Sequence, residues 1–408
     1  MKKLFASYRN LPNSAWWLLG ADVCLQLINS AFAILLNYVM IDHGYKDYDI
    51  TSINGNRYLA VLICAYPLTI WSRKMNLKTL LLIGAIASPL LSLAMLWCIH
   101  FHISELLRII TFLWGVSFSL IQVLSLPILM KITDDSNQTE AISLFFAAGS
   151  FTMIFCGLLN VIIQTALPGL SNISILTLYC VLACVGPYFI FNIKDELSIS
   201  TKGEHHRTTK KDWKRIGEAL LPTFLIAFGA GFTIPFINLF FNFVHGVGSD
   251  TFSMMNSIAF TLVVIGGFLN PMVKRKWGYK FSITFFQILA IIALFIMGAT
   301  EWYGGAFWAA SLAIGMYIIR QPLMNIAGPL TTELSMKYVG DKNQKIISAI
   351  TAALWSGTWY ISAVLFSILR EMNISYSNII FTTVFFYILG VLSYYRLIRK
   401  FELEKTTD

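Results

Sequence analysis

The sequence predicts an all-α membrane protein in which twelve transmembrane helices form two pseudo-symmetric six-helix bundles. The chain of 408 residues is 57% hydrophobic and only 12% charged, with a mean hydropathy of +0.68. So little polar surface cannot cover a water-soluble globule of this size. The apolar residues fall in long runs that are separated by short polar connections. Two of these connections repeat one pattern at a fixed distance, which indicates an internal duplication.

A membrane-spanning helix needs about 20 mostly apolar residues, and twelve runs of this kind can be marked. Their even number places both termini on the same side of the membrane. The runs are 14–40, 52–72, 77–99, 104–130, 139–166, 172–193, 216–244, 251–273, 280–300, 305–331, 344–369 and 376–398.

The connections between these runs differ in charge. Lys and Arg concentrate at the N-terminus, in alternate connections and in the C-terminal tail, whereas the opposite loops, such as 42–49, are short and acidic or neutral. Because basic loops are retained in the cytoplasm, we expect both termini to be cytoplasmic and the protein to lie in a bacterial inner membrane. The net charge of +9 is spread over these connections and forms no continuous face, so we expect no nucleic-acid partner.

The repeated connections are the basic turns 72–78 and 274–280, which lie 202 residues apart. Asn76 stands where Gly278 stands, and both residue types tolerate a left-handed backbone, so we expect both turns to reverse the chain tightly. The organisation that follows is an N-terminal half 1–193, a cytoplasmic linker 194–215, a C-terminal half 216–399 and a tail 400–408. Residues of the two turns that we expect to fix topology and hold the inner gate are Arg73, Lys74, Lys78, Arg275, Gly278 and Lys280.

With twelve spans, a long middle loop and a Gly-rich end of span eight before a basic turn, the chain resembles the major facilitator superfamily over nearly all its length. The clearer copy of that family's loop signature runs from Gly267 to Lys280; in the first copy Ser72 replaces the usual acidic residue. The antiporter signature of span four is incomplete, since Phe112 stands three residues before Gly115 where the family has Arg. The resemblance implies that spans one, four, seven and ten line a central cavity.

Charges inside the predicted spans are few and costly, so each one suggests a pathway or a partner. Asp22 lies in span one with Gln26 and Asn29 at the i+4 and i+7 positions, Arg108 lies near the outer end of span four, and Arg320 lies deep in span ten. Asp22 is the candidate for proton coupling, because an apolar setting favours the protonated carboxyl that a proton carrier needs. The candidate solute-binding residues are Arg320, Asn238, Gln122, Arg108, Gln26 and Asn325.

Structural roles are the alternative for each charge. Arg320 can bind the carbonyls that Pro322 frees, Asp22 can be the buried partner of Arg320 or lie at the cytoplasmic mouth, and Arg108 can snorkel to the headgroups. Two charges near span ends have expected ion partners. Arg57 is expected to pair with Asp47 or Asp49, and Glu333 to meet a basic turn.

No nucleotide-binding loop, catalytic constellation or metal-ligand spacing is present in the sequence, so we expect no enzyme, no cofactor and no metal site. The predicted function is secondary active transport of a small solute by a monomer in the lipid bilayer. Two arginines against one aspartate suggest an anionic solute, and the family favours proton-coupled export by antiport, as in drug, siderophore or peptide-antibiotic efflux. The alternatives are import of an anionic nutrient, sugar or muropeptide-like compound, transport of a lipid, and a sensor or immunity protein that transports nothing.

Overall fold

The structure is a computed structural model that describes residues 11–72, 76–133, 138–193, 210–340 and 343–407. Within these ranges the chain is helical and contains no strand. It divides into two compact units. Unit 1 comprises 1–46 and 53–203, and unit 2 comprises 47–52 and 204–408. The predicted linker residues 194–209 and the basic residues Arg73 and Lys74 lie outside the described ranges.

Unit 1 is built from the first seven helices, except for the first turn of the second helix, which belongs to unit 2. The single run predicted at 172–193 is two helices, because Pro187 follows the break and has no amide hydrogen to continue the hydrogen-bond ladder. The helices are α1 Asn13–Asp42, α2 Asp47–Ser72, α3 Leu77–His100, α4 Ser104–Ile132, α5 Gln138–Ala166, α6 Asn172–Ala183 and α7 Gly186–Phe191.

Buried aliphatic side chains of α1, α3, α4 and α7 form the core at one end of unit 1, with Leu18, Leu81, Ile128 and Ile190 among its members. Lys78 lies beside this core, and its Nζ donates to the carbonyl of Phe191 at 3.0 Å and to that of Ile193. The last carbonyls of a helix have no partner within the helix. Lys78 therefore supplies hydrogen bonds to the carbonyls at the end of α7 and just after it.

Unit 2 contains the remaining helices. The seventh predicted span is interrupted by a short 3₁₀ turn at Ile234–Phe236, where Pro235 removes a backbone donor. The α-helix of the ninth predicted span is preceded by a short π segment, Phe281–Phe285, and followed by a short 3₁₀ turn, Thr300–Tyr303. The helices are α8 Lys210–Thr233, α9 Ile237–His245, α10 Ser249–Lys280, α11 Phe286–Ala299, α12 Ala309–Val339, α13 Gln344–Glu371 and α14 Tyr376–Thr407.

The two basic turns differ in backbone conformation at the matching positions Asn76 and Gly278. Gly278 has φ 68° and breaks the helical path near the end of α10, as its sequence position predicts. The prediction for Asn76 is wrong, because its φ is −66° and it is the N-cap of α3. Its side-chain oxygen accepts a hydrogen bond from the backbone N–H of Lys78 at 2.9 Å. A capping interaction therefore replaces the left-handed turn in the first copy.

Ten helical segments among the described residues are long and apolar enough to cross a membrane. They agree with ten of the twelve predicted spans. The other two predicted spans correspond to α2 and α12, which are not among the ten. The described part of the chain is thus a multi-span helical protein, as the composition predicts.

Candidate functional site

Arg57 lies in the middle of α2, in unit 1, and its guanidinium has both amide and aromatic neighbours. Its Nη2 donates to Asn29 Oδ1 at 2.6 Å, and its guanidinium carbon lies 4.7 Å from the ring centroid of Trp114 and 5.2 Å from that of Phe118. Among the residues that the structure describes, the ion pairs involve other side chains, and no carboxylate pairs with Arg57. A cation therefore stands between aromatic rings and an amide, without an acidic partner.

The close approach of α4 to α2 sets this geometry. A Cβ added to Gly115 would lie 2.6 Å from the carbonyl oxygen of Arg57 and 2.8 Å from Cβ of Ala60. Only glycine allows the two backbones to come so near. Trp114 and Phe118 are one helical turn apart on α4, and both are buried. The ring of Trp114 stacks on that of Phe32, with 5.4 Å between the ring centroids. The two aromatic rings beside the guanidinium are consequently held in place by packing.

Half-buried amides continue the polar surface from Arg57 along α1. Asn29 Nδ2 donates to Gln26 Oε1 at 3.4 Å, so that Gln26, Asn29 and Arg57 form one connected polar row. All three side chains are partly exposed. A guanidinium held on one side by aromatic rings presents its remaining N–H donors in a fixed plane, the arrangement that binds a carboxylate or phosphate.

The expected pairing of Arg57 with Asp47 or Asp49 is wrong. The carboxylate of Asp47 accepts hydrogen bonds from Nε of Arg370 at 2.5 Å and from the hydroxyl of Tyr376 at 2.9 Å. Asp47 and Arg57 are also ten residues apart on one helix, about 15 Å along its axis, which is more than the two side chains can bridge. The ten-residue separation could be read from the sequence. The predicted span began at residue 52, however, so it did not show that Asp47 and Arg57 lie on one helix.

Asp22, the predicted proton carrier, is 2% exposed in α1. Its neighbours along the helix, Leu18, Ala21 and Leu25, belong to the aliphatic core of unit 1. Its Oδ2 has no hydrogen-bond partner among the described residues. The carboxyl is thus buried beside the aliphatic core. Its role in proton coupling stays a prediction.

Arg320, the predicted solute ligand, is 2% exposed in the interior of unit 2. Its Nη1 donates to Gln321 Oε1 at 2.9 Å and its Nη2 to the hydroxyl of Tyr387 at 3.1 Å. Both acceptors are side chains rather than carbonyls freed by Pro322. Asn238 is also buried in this unit, whereas Asn325 is exposed and its Nδ2 donates to the carbonyl of Gln321 at 2.8 Å.

The other predicted solute ligands lie on α4 of unit 1. Gln122 is exposed, and Arg108 is half-buried near the start of the helix. Of the six predicted ligands, only Gln26 belongs to the polar row of Arg57. Asn29 and Arg57 are the members of that row which the predicted set omits.

The basic turn at the end of α10 makes contacts within unit 2. Arg275, Gly278 and Lys280 are exposed, and Lys280 Nζ lies 5.0 Å from the ring centroid of Tyr395. Lys274 Nζ binds both carboxylate oxygens of Glu333, at 2.6 and 2.5 Å. The expectation that Glu333 meets a basic turn is confirmed.

Burial alone raises the pKa of Glu333, which lies beyond the predicted span of α12. The hydrogen bonds from Lys274 and Lys337 outweigh burial and lower its pKa to about 2. The carboxylate is therefore ionised throughout the physiological range. Its ion pair with Lys274 holds the end of α12 to the end of α10, whereas Lys337 lies one turn further along α12.

The Major Facilitator Superfamily model matches residues 18–363, which is most of the chain. The chain belongs to the Major Facilitator Superfamily. No curated protein sequence matches it significantly.

Solved structures of Major Facilitator Superfamily type share the fold. The nucleoside transporter NupG, in a mutant form, has a TM-score of 0.74 at 12% identity, covering 94% of this chain and 99% of that one. A bacterial homologue of the iron transporter ferroportin, in its inward-facing state, has the same TM-score and identity, with coverages of 94% and 98%. A bacterial homologue of the human lysosomal transporter Spinster has a TM-score of 0.70 at 11% identity, with coverages of 94% and 96%.

Membership of this family identifies a multi-pass membrane transporter rather than an enzyme. The solved structures, at 11% to 12% identity, establish the fold alone. They are a nucleoside transporter and bacterial homologues of an iron transporter and of a lysosomal transporter.

Proposed function

We propose that this protein is a secondary active transporter of a small anionic organic solute, and that Arg57 binds the anionic group. The observation that carries the proposal is a partly buried arginine in the middle of a helix, with no acidic partner among the described residues. A partly buried guanidinium without an acidic partner carries an uncompensated charge, which raises the free energy of the folded state. Binding of a carboxylate or phosphate offsets that cost, so the site favours a negatively charged ligand.

Gln26 and Asn29 support this role from α1. Asn29 takes one guanidinium N–H and thereby orients the others, while Gln26 extends the polar row to groups on the solute that accept or donate hydrogen bonds. Arg108, Gln122, Asn238, Arg320 and Asn325 stay candidate contacts for other stages of the cycle. Transport by a single chain through alternating access is the mechanism that the family fold supports.

The proposed coupling ion is the proton, carried by Asp22. Its carboxyl is buried among aliphatic side chains, where the ionised form is costly. A group that is stable neutral and can ionise on exposure to water can carry one proton per cycle. Export at a bacterial inner membrane, as in antibiotic or siderophore efflux, is the proposed direction.

Import of an anionic nutrient, sugar or muropeptide-like compound is the second candidate. A membrane sensor or immunity protein that binds the same anion without moving it belongs to a different class, and a lipid solute is a further alternative. Arg57 serves all of these equally, so direction requires a cellular assay. A deletion strain that becomes sensitive to a toxic anion and accumulates it supports export, whereas reduced accumulation supports import.

Purified protein in liposomes tests the anionic site directly. We expect labelled carboxylates or phosphate esters to bind, neutral and cationic analogues to bind at least tenfold more weakly, and Arg57→Gln to lose the difference. Arg399→Gln is the matched control, because Arg399 is exposed near the end of α14. Equal binding of neutral and anionic solutes, or unchanged binding by folded Arg57→Gln, would falsify the proposal.

A further inference from the structure

A second cation that has no acidic partner in the described part of the chain lies inside unit 2. Arg320 is 2% exposed, its two hydrogen-bond acceptors are the neutral side chains of Gln321 and Tyr387, and its Nε has no partner among the described residues. Arginine stays protonated at all physiological pH values. The interior of unit 2 therefore contains a full positive charge that the surrounding neutral dipoles only partly offset.

An orphan amide donor lies on the neighbouring helix. Asn256 of α10 is buried, and its Oδ1 accepts a hydrogen bond from the hydroxyl of Tyr317 at 2.9 Å. Its Nδ2 has no partner among the described residues. Tyr317 precedes Arg320 by three residues on α12, and residues three apart are neighbours on a helix surface. Tyr317 thus links Asn256 of α10 to the turn of α12 that carries Arg320.

Buried unsatisfied donors and an uncompensated charge both raise the free energy of the folded state. One ligand relieves both costs if it is negatively charged and accepts N–H donors. We propose that Arg320 and Asn256 bind a small monovalent inorganic anion of the chloride class. Tyr317 and Tyr387, which bind Asn256 and Arg320, are both buried, so the ligand that we propose is a small ion.

The site is separate from the Arg57 site, which is proposed to bind the anionic group of the transported solute. Arg57 belongs to unit 1 and is partly exposed, whereas Arg320 belongs to unit 2 and is enclosed. A bound anion offsets the charge of Arg320. It thereby stabilises the contact between α12 and α14 that Arg320 makes with Tyr387. Its expected effect is on the stability of unit 2, so it can be measured without any transported solute.

The test is thermal unfolding of the purified protein, followed by tryptophan fluorescence, with chloride replacing gluconate at constant ionic strength. We expect a saturable rise in Tm, of about 5 °C when chloride exceeds its Kd a hundredfold, and a similar rise with bromide. Arg320→Gln should abolish the rise and Asn256→Leu should weaken it. Arg399→Gln should retain it in full.

A Tm of the wild-type protein that is the same in chloride and gluconate would overturn the proposal. So would a chloride effect that persists in Arg320→Gln, or one that disappears only in Arg57→Gln, which would place the ion at the solute site. If Arg320→Gln does not fold, bromide-containing crystals of the wild type decide the question. An anomalous peak beside the Arg320 guanidinium supports the site, and its absence at saturating bromide rejects it.

Discussion

The guanidinium of Arg57 and the side-chain oxygen of Asn29 meet at 2.6 Å, although 28 residues separate them. This contact predicts the effect of one added charge. Asn29→Asp places a carboxylate at the same position, where it pairs with Arg57 and competes with an anionic solute. We expect solute affinity to fall about 10- to 100-fold, the equivalent of about 1.4 to 2.7 kcal/mol, while the protein stays folded. Radioligand binding measures the effect.

The control for this substitution is Asn378→Asp. Asn378 is exposed in the first turn of α14, where an acidic side chain is favourable. Solute affinity that is unchanged in Asn29→Asp would show that Arg57 does not bind the solute.

Gly115 allows α4 to approach α2, so a larger residue there should destabilise unit 1. In Gly115→Ala the new Cβ meets the backbone oxygen of Arg57 at 2.6 Å, and a backbone atom cannot turn aside as a flexible side chain can. We expect a loss of about 1 to 3 kcal/mol, read as a lower Tm in detergent. Gly149→Ala is the matched control. Its Cβ would meet nothing within 4 Å, so the higher helix propensity of alanine should leave Tm unchanged or raised. Equal Tm values for the two variants would argue against the close approach.

Asp47 and Arg370 form an ion pair whose side chains are 11% and 19% exposed. Arg370 also lies over the ring of Tyr376, with 4.0 Å from the guanidinium carbon to the ring centroid. Because removal of one partner leaves a largely buried charge, we expect Arg370→Gln to cost about 3 kcal/mol. A double-mutant cycle with Asp47→Asn should give a coupling energy of about 1 to 3 kcal/mol. Additive effects of the two substitutions would mean that the pair contributes nothing.

Glu333 predicts a pH dependence. Its pKa in the folded protein is about 2, below the ordinary value of 4.5, because the hydrogen bonds of Lys274 and Lys337 outweigh burial. A lowered pKa stabilises the folded state above the ordinary pKa, and the effect is lost as pH falls from 4.5 towards 2. The Tm difference between wild type and Glu333→Gln should therefore be constant from about pH 6 to 8 and shrink below about pH 4.5. Glu371→Gln, at an exposed carboxylate, is the control. A difference that persists at the lowest accessible pH would contradict the assignment.

Asp22 predicts a separation of coupling from binding. In Asp22→Asn the side chain keeps its size but cannot release a proton, so transport in liposomes should no longer respond to a pH gradient. Binding and solute exchange without a gradient should persist, because Asp22 is buried among aliphatic side chains and is not part of the polar row of Arg57. Asp250→Asn, at an exposed residue in the first turn of α10, is the control. Gradient-driven transport that survives in Asp22→Asn would assign the coupling to another group.

The sequence by itself determined the class of the protein and most of its local structure. Long apolar runs predict spanning helices because every backbone polar group must be satisfied inside the lipid. Gly278 predicts a positive φ because only glycine adopts it without steric cost. The twelve apolar runs and the family signature in the second basic turn were enough to predict the superfamily to which the chain belongs. These properties depend on neighbouring residues in the chain, so they can be recognised without the tertiary structure.

Only the tertiary structure decided which polar groups meet. Arg57 contacts Asn29 and Trp114, Asp47 contacts Arg370, and the acceptors of Arg320 include Tyr387 on another helix. Spanning helices that are apolar on most faces have no clear amphipathic pattern, so their rotation about the helix axis is set by packing contacts such as the one at Gly115. That rotation chooses the partner of each charge, and it depends on residues distant in the chain.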